Sequence, residues 1–195
     1  MRHPFASITM EGGARIVLEL YPEEAPNTVN SFIWLAQRGC FDNHAIERLV
    51  PDFVVDVSYT AFGRDDAKYL IPFETQSAGF DNRLGARPGT VVMGGYENGI
   101  AGGEFFFPLK ENDRVTWNYP AFGKIIEGLD IILSWNSLPV INVHFPQDPS
   151  VKITVPSVPL LIRSVTVETF GINYPEPVRI DGAKLPVNWA KPEGM

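Results

Sequence analysis

One arginine draws attention because it lies inside an apolar segment. Residues 45–50 read Ala-Ile-Glu-Arg-Leu-Val and are followed by Pro51, a pattern typical of a short strand. Alternation along a strand places Ile46, Arg48 and Val50 on one face. A guanidinium at such a position is either a salt-bridged surface cation or a positioned hydrogen-bond donor. The residue types alone favour the surface cation, because arginine side chains are mostly exposed.

Other side chains suited to catalysis are sparse. Glu47, Asp56 and Glu104 could supply a carboxylate pair for glycosidase-type acid–base chemistry, but no spacing indicates that two of them face each other. The three histidines fit no metal-ligand spacing, and Cys40 carries no nucleophile signature. The glycine-rich residues 94–103 lack the Lys-Ser/Thr of a phosphate-binding loop and predict a loop with tight turns and close backbone approach. No metal and no cofactor are predicted.

The elements that must position these residues are mainly short strands. Helical spacing of apolar residues predicts only two helices, at residues 27–38 and 129–136. Residues 139–159 are rich in proline and predict an irregular excursion. This pattern favours a closed antiparallel β-barrel over a parallel α/β sheet. The predicted strands cover residues 5–10, 15–21, 45–50, 53–58, 90–93, 104–109, 121–126 and 161–169.

Composition restricts the class of protein. The chain has 195 residues, of which 45% are apolar, a content that excludes intrinsic disorder. A net charge of −7 argues against a nucleic-acid binder, and no apolar run approaches the roughly 20 residues that span a bilayer. We expect one domain over residues 1–195, with a core at 5–170 and a proline-rich tail at 171–195. The absence of a signal-like leader predicts a cytoplasmic protein.

Several segments, in order along the chain, resemble a cyclophilin-type peptidyl-prolyl cis-trans isomerase. Residues 48–53, Arg-Leu-Val-Pro-Asp-Phe, are similar to the family's Phe-His-Arg-x-Ile-Pro-Gly-Phe signature. Residues 89–93 and 104–107 resemble its Gly-x-x-x-Met-Ala and Ser-Gln-Phe-Phe-Ile pair. Further matches lie at residues 16–32, 119–130 and 162–168, and residues 167–177 resemble bacterial members.

The resemblance implies a fold and an activity. The family fold is an antiparallel barrel of about eight strands capped by two helices, with the active site in a groove outside the packed interior. The implied activity is rotation of Xaa-Pro peptide bonds in proline-containing peptides or unfolded protein segments, by a monomer without a cofactor. The alternative is a catalytically weak or inactive module that binds proline-containing segments.

The resemblance also implies site residues. Arg48 matches the catalytic arginine, and Phe53 and Phe106 match the phenylalanines of the proline pocket. Other positions of the implied substrate groove hold different residues from the usual ones. These are Val54 for methionine, Val115 for leucine, Tyr119 for histidine, and Gly94-Gly95 for Ala-Asn.

Acidic and basic substitutions distinguish this chain from the family pattern. Glu47 replaces the histidine before the arginine, Asp56 replaces the glutamine that braces it, and Glu104 replaces a groove glutamine. The acidic groove predicts a preference for basic residues near the proline. Arg114 stands where cyclosporin-sensitive members carry tryptophan, which argues against cyclosporin binding unless Trp117 fills that position.

Overall fold

Antiparallel strands make up most of the fold in the computed structural model, which describes residues 2–46, 48–57, 67–144 and 152–182. Three α-helices are α1 Pro26–Ala36, α2 Asp113–Thr116 and α3 Leu129–Ser134, and single 3-10 turns lie at Gln76–Ala78 and Trp135–Ser137. The strands are β1 Phe5–Met10, β2 Arg15–Leu20, β3 His44–Ile46, β4 Arg48–Val50, β5 Val54–Val57, β6 Leu70–Ile71, β7 Thr90–Tyr96, β8 Gly99–Pro108, β9 Ala121–Glu127, β10 Val140–His144, β11 Lys152–Pro156 and β12 Leu160–Glu168.

Ten of these strands form one antiparallel sheet. Its path runs β3-β12-β1-β2-β9-β7-β8-β5-β4, with β6 paired beside β8. The two end strands, β3 and β4, are neighbours in sequence, separated by residue 47. The sheet therefore curls round until its ends nearly meet, which confirms the predicted mainly β barrel with more strands than the expected eight. β10 and β11 form a separate two-stranded hairpin.

The interior of the barrel is filled by side chains. The ring of Phe32 on α1 packs against three others of this core, with centroids 5.2 Å from Phe41, 5.4 Å from Phe105 and 5.3 Å from Phe122. All four rings are fully buried. A filled interior leaves no room for a ligand, so a binding site must lie on the outer surface of the sheet.

Both predicted helices are confirmed, and one short helix was not foreseen. The predicted helix at residues 27–38 is α1, and the predicted helix at residues 129–136 is α3 with the 3-10 turn that follows it. Helix α2 has only four residues, too few for a periodic apolar pattern.

The predicted single strand over residues 45–50 is wrong. It is divided into β3, which pairs with β12, and β4, which pairs with β5. Ile46 and Leu49, three residues apart, both lie in the main core. Simple alternation would place them on opposite faces, so the alternation of β3 does not continue into β4.

Two further predictions need correction, because strands lie in segments that were predicted to be irregular. The glycine-rich residues 94–103 are not a loop, because all but Glu97 and Asn98 belong to β7 and β8. Close backbone approach is nevertheless present, since a Cβ on Gly102 would lie 2.0 Å from the ring of Tyr69. The excursion at residues 139–159 contains the β10–β11 hairpin, and the described prolines Pro139, Pro156 and Pro159 lie at or outside the strand ends.

The tail lies along α1 as irregular chain as far as residue 182. The Asn27 side chain donates to the Val178 carbonyl oxygen at 2.9 Å and accepts from the Val178 amide at 2.8 Å. The Ile180 amide donates to the Leu70 carbonyl oxygen at 2.9 Å. Residues 183–195 lie outside the described residues. Among the described helices, none has the length and apolar character that a membrane crossing requires.

Candidate active site

Strand alternation builds a second apolar cluster outside the barrel interior. On β8, Phe105 and Phe107 point into the main core, whereas Phe106 between them points outward. On β5, Val55 points inward and Val54 outward. The outward residues form what we call the outer cluster. Its buried members are Val54, Ala86, Val92, Phe106, Val115 and Ala121, and Val50, Phe53, Leu84 and Tyr119 pack against them half-buried.

One row of directly opposed residues crosses four strands of this surface. Arg48 on β4 is opposite Asp56 on β5, Asp56 is opposite Phe106 on β8, and Phe106 is opposite Val92 on β7. Adjacent strands lie about 4.8 Å apart. The row therefore brings the guanidinium to the edge of the outer cluster, although Arg48 and Phe106 are far apart in sequence.

Arg48 and Asp56 form a half-buried ion pair. Nη1 of Arg48 donates to a carboxylate oxygen of Asp56, and the side chains are 24% and 21% exposed. Burial raises the pKa of Asp56, and the charge and hydrogen bond of Arg48 oppose that rise. Within the described part of the chain, Nε of Arg48 is buried without a hydrogen-bond partner. Asp56 thus holds one corner of the guanidinium and leaves Nε unbonded.

A tight turn brings Phe53 beside the arginine. The Phe53 amide donates to the Val50 carbonyl oxygen at 3.0 Å, closing a turn over Pro51 and Asp52. Asp52 has φ of +57°, a conformation that aspartate tolerates better than most residues and glycine tolerates best. The guanidinium carbon of Arg48 lies 5.9 Å from the centroid of the Phe53 ring.

Tyr119 closes another side of the outer cluster. Its ring meets that of Phe106 edge to face, with centroids 5.6 Å apart. Val115 of α2 is buried in the same cluster. Arg114, the preceding residue, is exposed. Trp117 is half-buried, with the guanidinium carbon of Arg87 5.6 Å from its ring centroid, so it packs on the Arg87 segment.

The glycine positions and Glu104 lie at the β7–β8 end of the same surface. The Tyr96 hydroxyl lies 2.9 and 3.0 Å from the two carboxylate oxygens of half-buried Glu104. A Cβ on Gly94 would lie 3.3 Å from the Glu104 carbonyl oxygen, and a Cβ on Gly95 would lie 2.7 Å from Cδ1 of Ile100. The two glycines therefore allow a close strand pairing.

Most of the residues singled out from the sequence come together here. Arg48, Phe53, Val54, Asp56, Phe106, Val115 and Tyr119 line or adjoin the outer cluster. Glu47 lies outside the described residues. The surface-cation interpretation of Arg48 is only partly right, because its ion pair is half-buried and lies beside the Phe53 ring.

Five members of the outer cluster were not predicted from the sequence. These are Val50, Leu84, Ala86, Val92 and Ala121. Strand alternation was the available signal for Val92, which lies between the core residues Val91 and Met93. Leu84 and Ala86 lie in irregular chain, where no periodicity marks a face. In the described residues, no group of three His, Cys, Asp or Glu side chains is arranged to hold a metal ion.

Comparison with known proteins assigns the family. A family model described as cyclophilin type peptidyl-prolyl cis-trans isomerase/CLD matches residues 5–158. The chain belongs to the cyclophilin-type peptidyl-prolyl cis-trans isomerases. It is 31% identical over 122 residues to peptidyl-prolyl cis-trans isomerase B of Bacillus subtilis strain 168, a match covering 62% of this chain and 82% of that protein. It is 27% identical over 162 residues to isomerase cyp18 of Streptomyces antibioticus, covering 78% and 92%.

Solved structures agree on the cyclophilin fold. A Cryptosporidium parvum cyclophilin type isomerase, crystallised in the presence of the dipeptide Ala-Pro, superposes with a TM-score of 0.64 at 19% identity, covering 85% of this chain and 99% of that one. Cyclophilin AquaCyp293 from Hirschia baltica gives a TM-score of 0.62 at 16% identity, covering 83% and 73%. The family resemblance inferred from the sequence is confirmed, and this cyclophilin is a peptidyl-prolyl cis-trans isomerase.

Proposed function

We propose that Arg48 is the catalytic residue of this isomerase and that the outer cluster holds the proline ring. The observation that carries the proposal is the position of the guanidinium. It lies at the rim of an apolar surface that contains three aromatic side chains, Phe53, Phe106 and Tyr119, and it keeps donors that Asp56 does not occupy.

The reaction requires little beyond such a donor. Amide resonance gives the Xaa-Pro bond a rotation barrier of ~18–20 kcal/mol, and no covalent bond is broken when it rotates. In the twisted state the prolyl nitrogen becomes pyramidal and gains a lone pair. A hydrogen bond from Arg48 to that nitrogen forms only in the twisted state, so it lowers the barrier without stabilising the ground state.

The substrate is a proline-containing peptide or unfolded segment that lies along the outer surface of the sheet. Phe53, Phe106 and Tyr119 supply the aromatic wall, and Val54 and Val115 complete it. An apolar pocket of this kind holds the pyrrolidine ring while the preceding residue rotates. Gly94 and Gly95 of β7 and Glu104 of β8 lie on the same surface, where the extended peptide would run.

Replacing Arg48 with alanine tests the proposal. In a protease-coupled or fluorine-NMR exchange assay on an Ala-Pro peptide, we expect Arg48→Ala to lower kcat/KM by roughly 10²–10³-fold, with a smaller change in KM, because the lost bond is made only in the transition state. Arg163→Ala is the matched control, since Arg163 on β12 is exposed and pairs with Glu11.

Two outcomes would contradict the proposal. If Arg48→Ala retains the wild-type kcat/KM, Arg48 is not catalytic. If the wild-type protein binds the peptide without accelerating its exchange, the chain is a non-catalytic module that binds proline-containing segments.

Four further properties of the protein stay predictions. These are a monomeric state, a cytoplasmic location, a relationship to bacterial members of the family and the lack of cyclosporin binding. The relatives that the chain matches include proteins from bacteria, fungi and a plant.

A further inference from the structure

The strand that carries Arg48 is short and lies at one end of the sheet. β4 contains three residues, and among the described strands of the sheet it pairs only with β5. Its other side would expose backbone polar groups if nothing covered it, and such an edge is easily displaced. Yet the guanidinium must be held to a fraction of an ångström to favour a transition state.

The β10–β11 hairpin covers this open side. β11 packs against β4, and its residues Ile153 and Val155 are buried. Thr154, between them, is 7% exposed, and its hydroxyl donates to the carbonyl oxygen of Leu49. Leu49 directly follows Arg48 in the chain. The hydroxyl of Thr154 thus satisfies a backbone acceptor one residue from the guanidinium-bearing residue.

A second contact holds the turn that follows the same strand. The backbone amide of Asp52 donates to Oδ1 of Asn136 at 2.6 Å, and Nδ2 of Asn136 lies 3.4 Å from Oδ1 of Asp52. Asn136 belongs to the 3-10 turn Trp135–Ser137, which contacts β4. The turn that presents Phe53, in which Asp52 has a positive φ, is therefore held by a residue that lies outside the sheet.

From these contacts we infer that Thr154 is a positioning residue for the isomerase reaction. Its hydrogen bond fixes the Leu49 peptide and, through it, the direction in which β4 presents Arg48. β4 thus pairs with β5 on one side, and the β10–β11 hairpin supports it on the other side. This inference rests on the proposed role of Arg48.

Two isosteric pairs of variants isolate the hydroxyl. Thr154→Val keeps the shape of threonine and removes the donor, and we expect it to lower kcat/KM by roughly three- to tenfold, mainly through kcat, as for one lost hydrogen bond. We expect Thr154→Ser, which keeps the hydroxyl donor, to retain activity. Thr154→Ala differs from Thr154→Ser by the hydroxyl alone, and we expect it to lose activity as Thr154→Val does. The serine–alanine pair decides the matter should Thr154→Val not fold.

The nuclear magnetic resonance signal of the Arg48 side chain shows whether Thr154 positions Arg48 or only stabilises the fold. Nε of Arg48 is buried, so its N–H exchanges slowly enough to be observed, and Arg48→Ala identifies its signal by removing it. We expect this signal to shift in Thr154→Val and to stay in place in Thr154→Ser. Thr166→Val, at an exposed position of β12, is the matched control and leaves both signal and kcat/KM unchanged.

The outcomes are distinct from those that test Arg48 itself. An unshifted Arg48 signal with wild-type kcat/KM in Thr154→Val overturns the inference, as does equal loss in Thr154→Ser and Thr154→Ala. A shifted signal without loss of activity, combined with full activity of Arg48→Ala, shows that Thr154 positions Arg48 while Arg48 is not catalytic. In that case the hydrogen bond of Thr154 still orients Arg48, but its role in the isomerase reaction fails together with the proposed function of Arg48.

Discussion

We expect the carboxylate of Asp56, which binds Arg48, to make the site respond to pH. A carboxylate holds a guanidinium more firmly than a neutral amide does, because the hydrogen bond is charge-assisted. Asp56 contacts only Nη1, so it orients the guanidinium while Nε stays unbonded among the described residues. We therefore expect Asp56 to support catalysis.

Activity should fall on acidification. When pH drops through the pKa of Asp56, which burial raises, the carboxyl becomes neutral and the bond to Arg48 weakens. We expect the wild-type kcat/KM to decrease toward acid pH and Asp56→Asn to be lowered roughly tenfold at neutral pH, with a flatter profile. The pH dependence of kcat/KM for both proteins measures this, and a profile unchanged by Asp56→Asn would contradict it.

The free energy of unfolding also depends on the protonation of Asp56, but it changes with pH in the opposite direction to the activity. Because the pKa of Asp56 is raised in the folded state, the folded protein binds the proton more tightly than the unfolded chain. The contribution of Asp56 to the free energy of unfolding is greatest below its unfolded pKa of about 3.9 and is lost as pH rises through its folded pKa. Denaturation of wild type and Asp56→Asn across that range serves as the control for the activity profile.

Helix α1 shows how an element is completed by a distant residue. Its N-cap position holds Ala25, whose side chain cannot accept a hydrogen bond. Buried Glu74 takes that role: its carboxylate accepts from the Asn27 amide at 2.8 Å, and from the Thr28 amide and hydroxyl at 2.8 and 2.7 Å. A negative charge at this end of a helix is also favoured by the helix dipole.

Removing this cap should destabilise the fold and leave the site intact. We expect Glu74→Ala to lower the free energy of unfolding by about 2–4 kcal/mol, and Glu74→Gln by less, because three hydrogen bonds to a buried carboxylate are lost or weakened. Urea denaturation measures the loss, and the exposed Glu97→Gln serves as the control. A Glu74→Ala variant as stable as wild type would show that water replaces the cap without cost.

At the scale of the whole molecule, charge governs which peptides approach the groove. The chain carries a net charge of −7, and half-buried Asp56 and Glu104 lie on the outer surface where the peptide would run. Such a field attracts cations and weakens as salt screens it.

We expect a Lys-Pro peptide to be isomerised with a kcat/KM roughly three- to tenfold higher than a Glu-Pro peptide at low salt, with the ratio falling at high salt. Glu104→Gln should reduce this ratio, whereas Glu127→Gln, at an exposed position of β9, should not. Equal rates for both peptides at every salt concentration would mean that the acidic groups form a solvated rim without selectivity.

Local patterns in the sequence determined the class of fold and the candidate site. Alternation in residues 5–10 and 15–20, the helical spacing that gives α1, and the Arg-Leu-Val-Pro-Asp-Phe segment depend on neighbouring residues only, so they could be recognised without coordinates. The family resemblance of these and other segments predicted Arg48, Phe53 and Phe106 as site residues, whereas the residue types alone favoured a surface cation at Arg48.

Only the tertiary structure decided how distant segments meet. The split of residues 45–50 into two strands, the Glu74 cap 46 residues from Thr28, and the bond from Thr154 to Leu49 across 105 residues leave no periodic trace in the sequence. Strand register and the docking of the β10–β11 hairpin result from packing between segments far apart in the chain. For the same reason the sequence supplied the arginine, and the folded sheet determined which groups hold it.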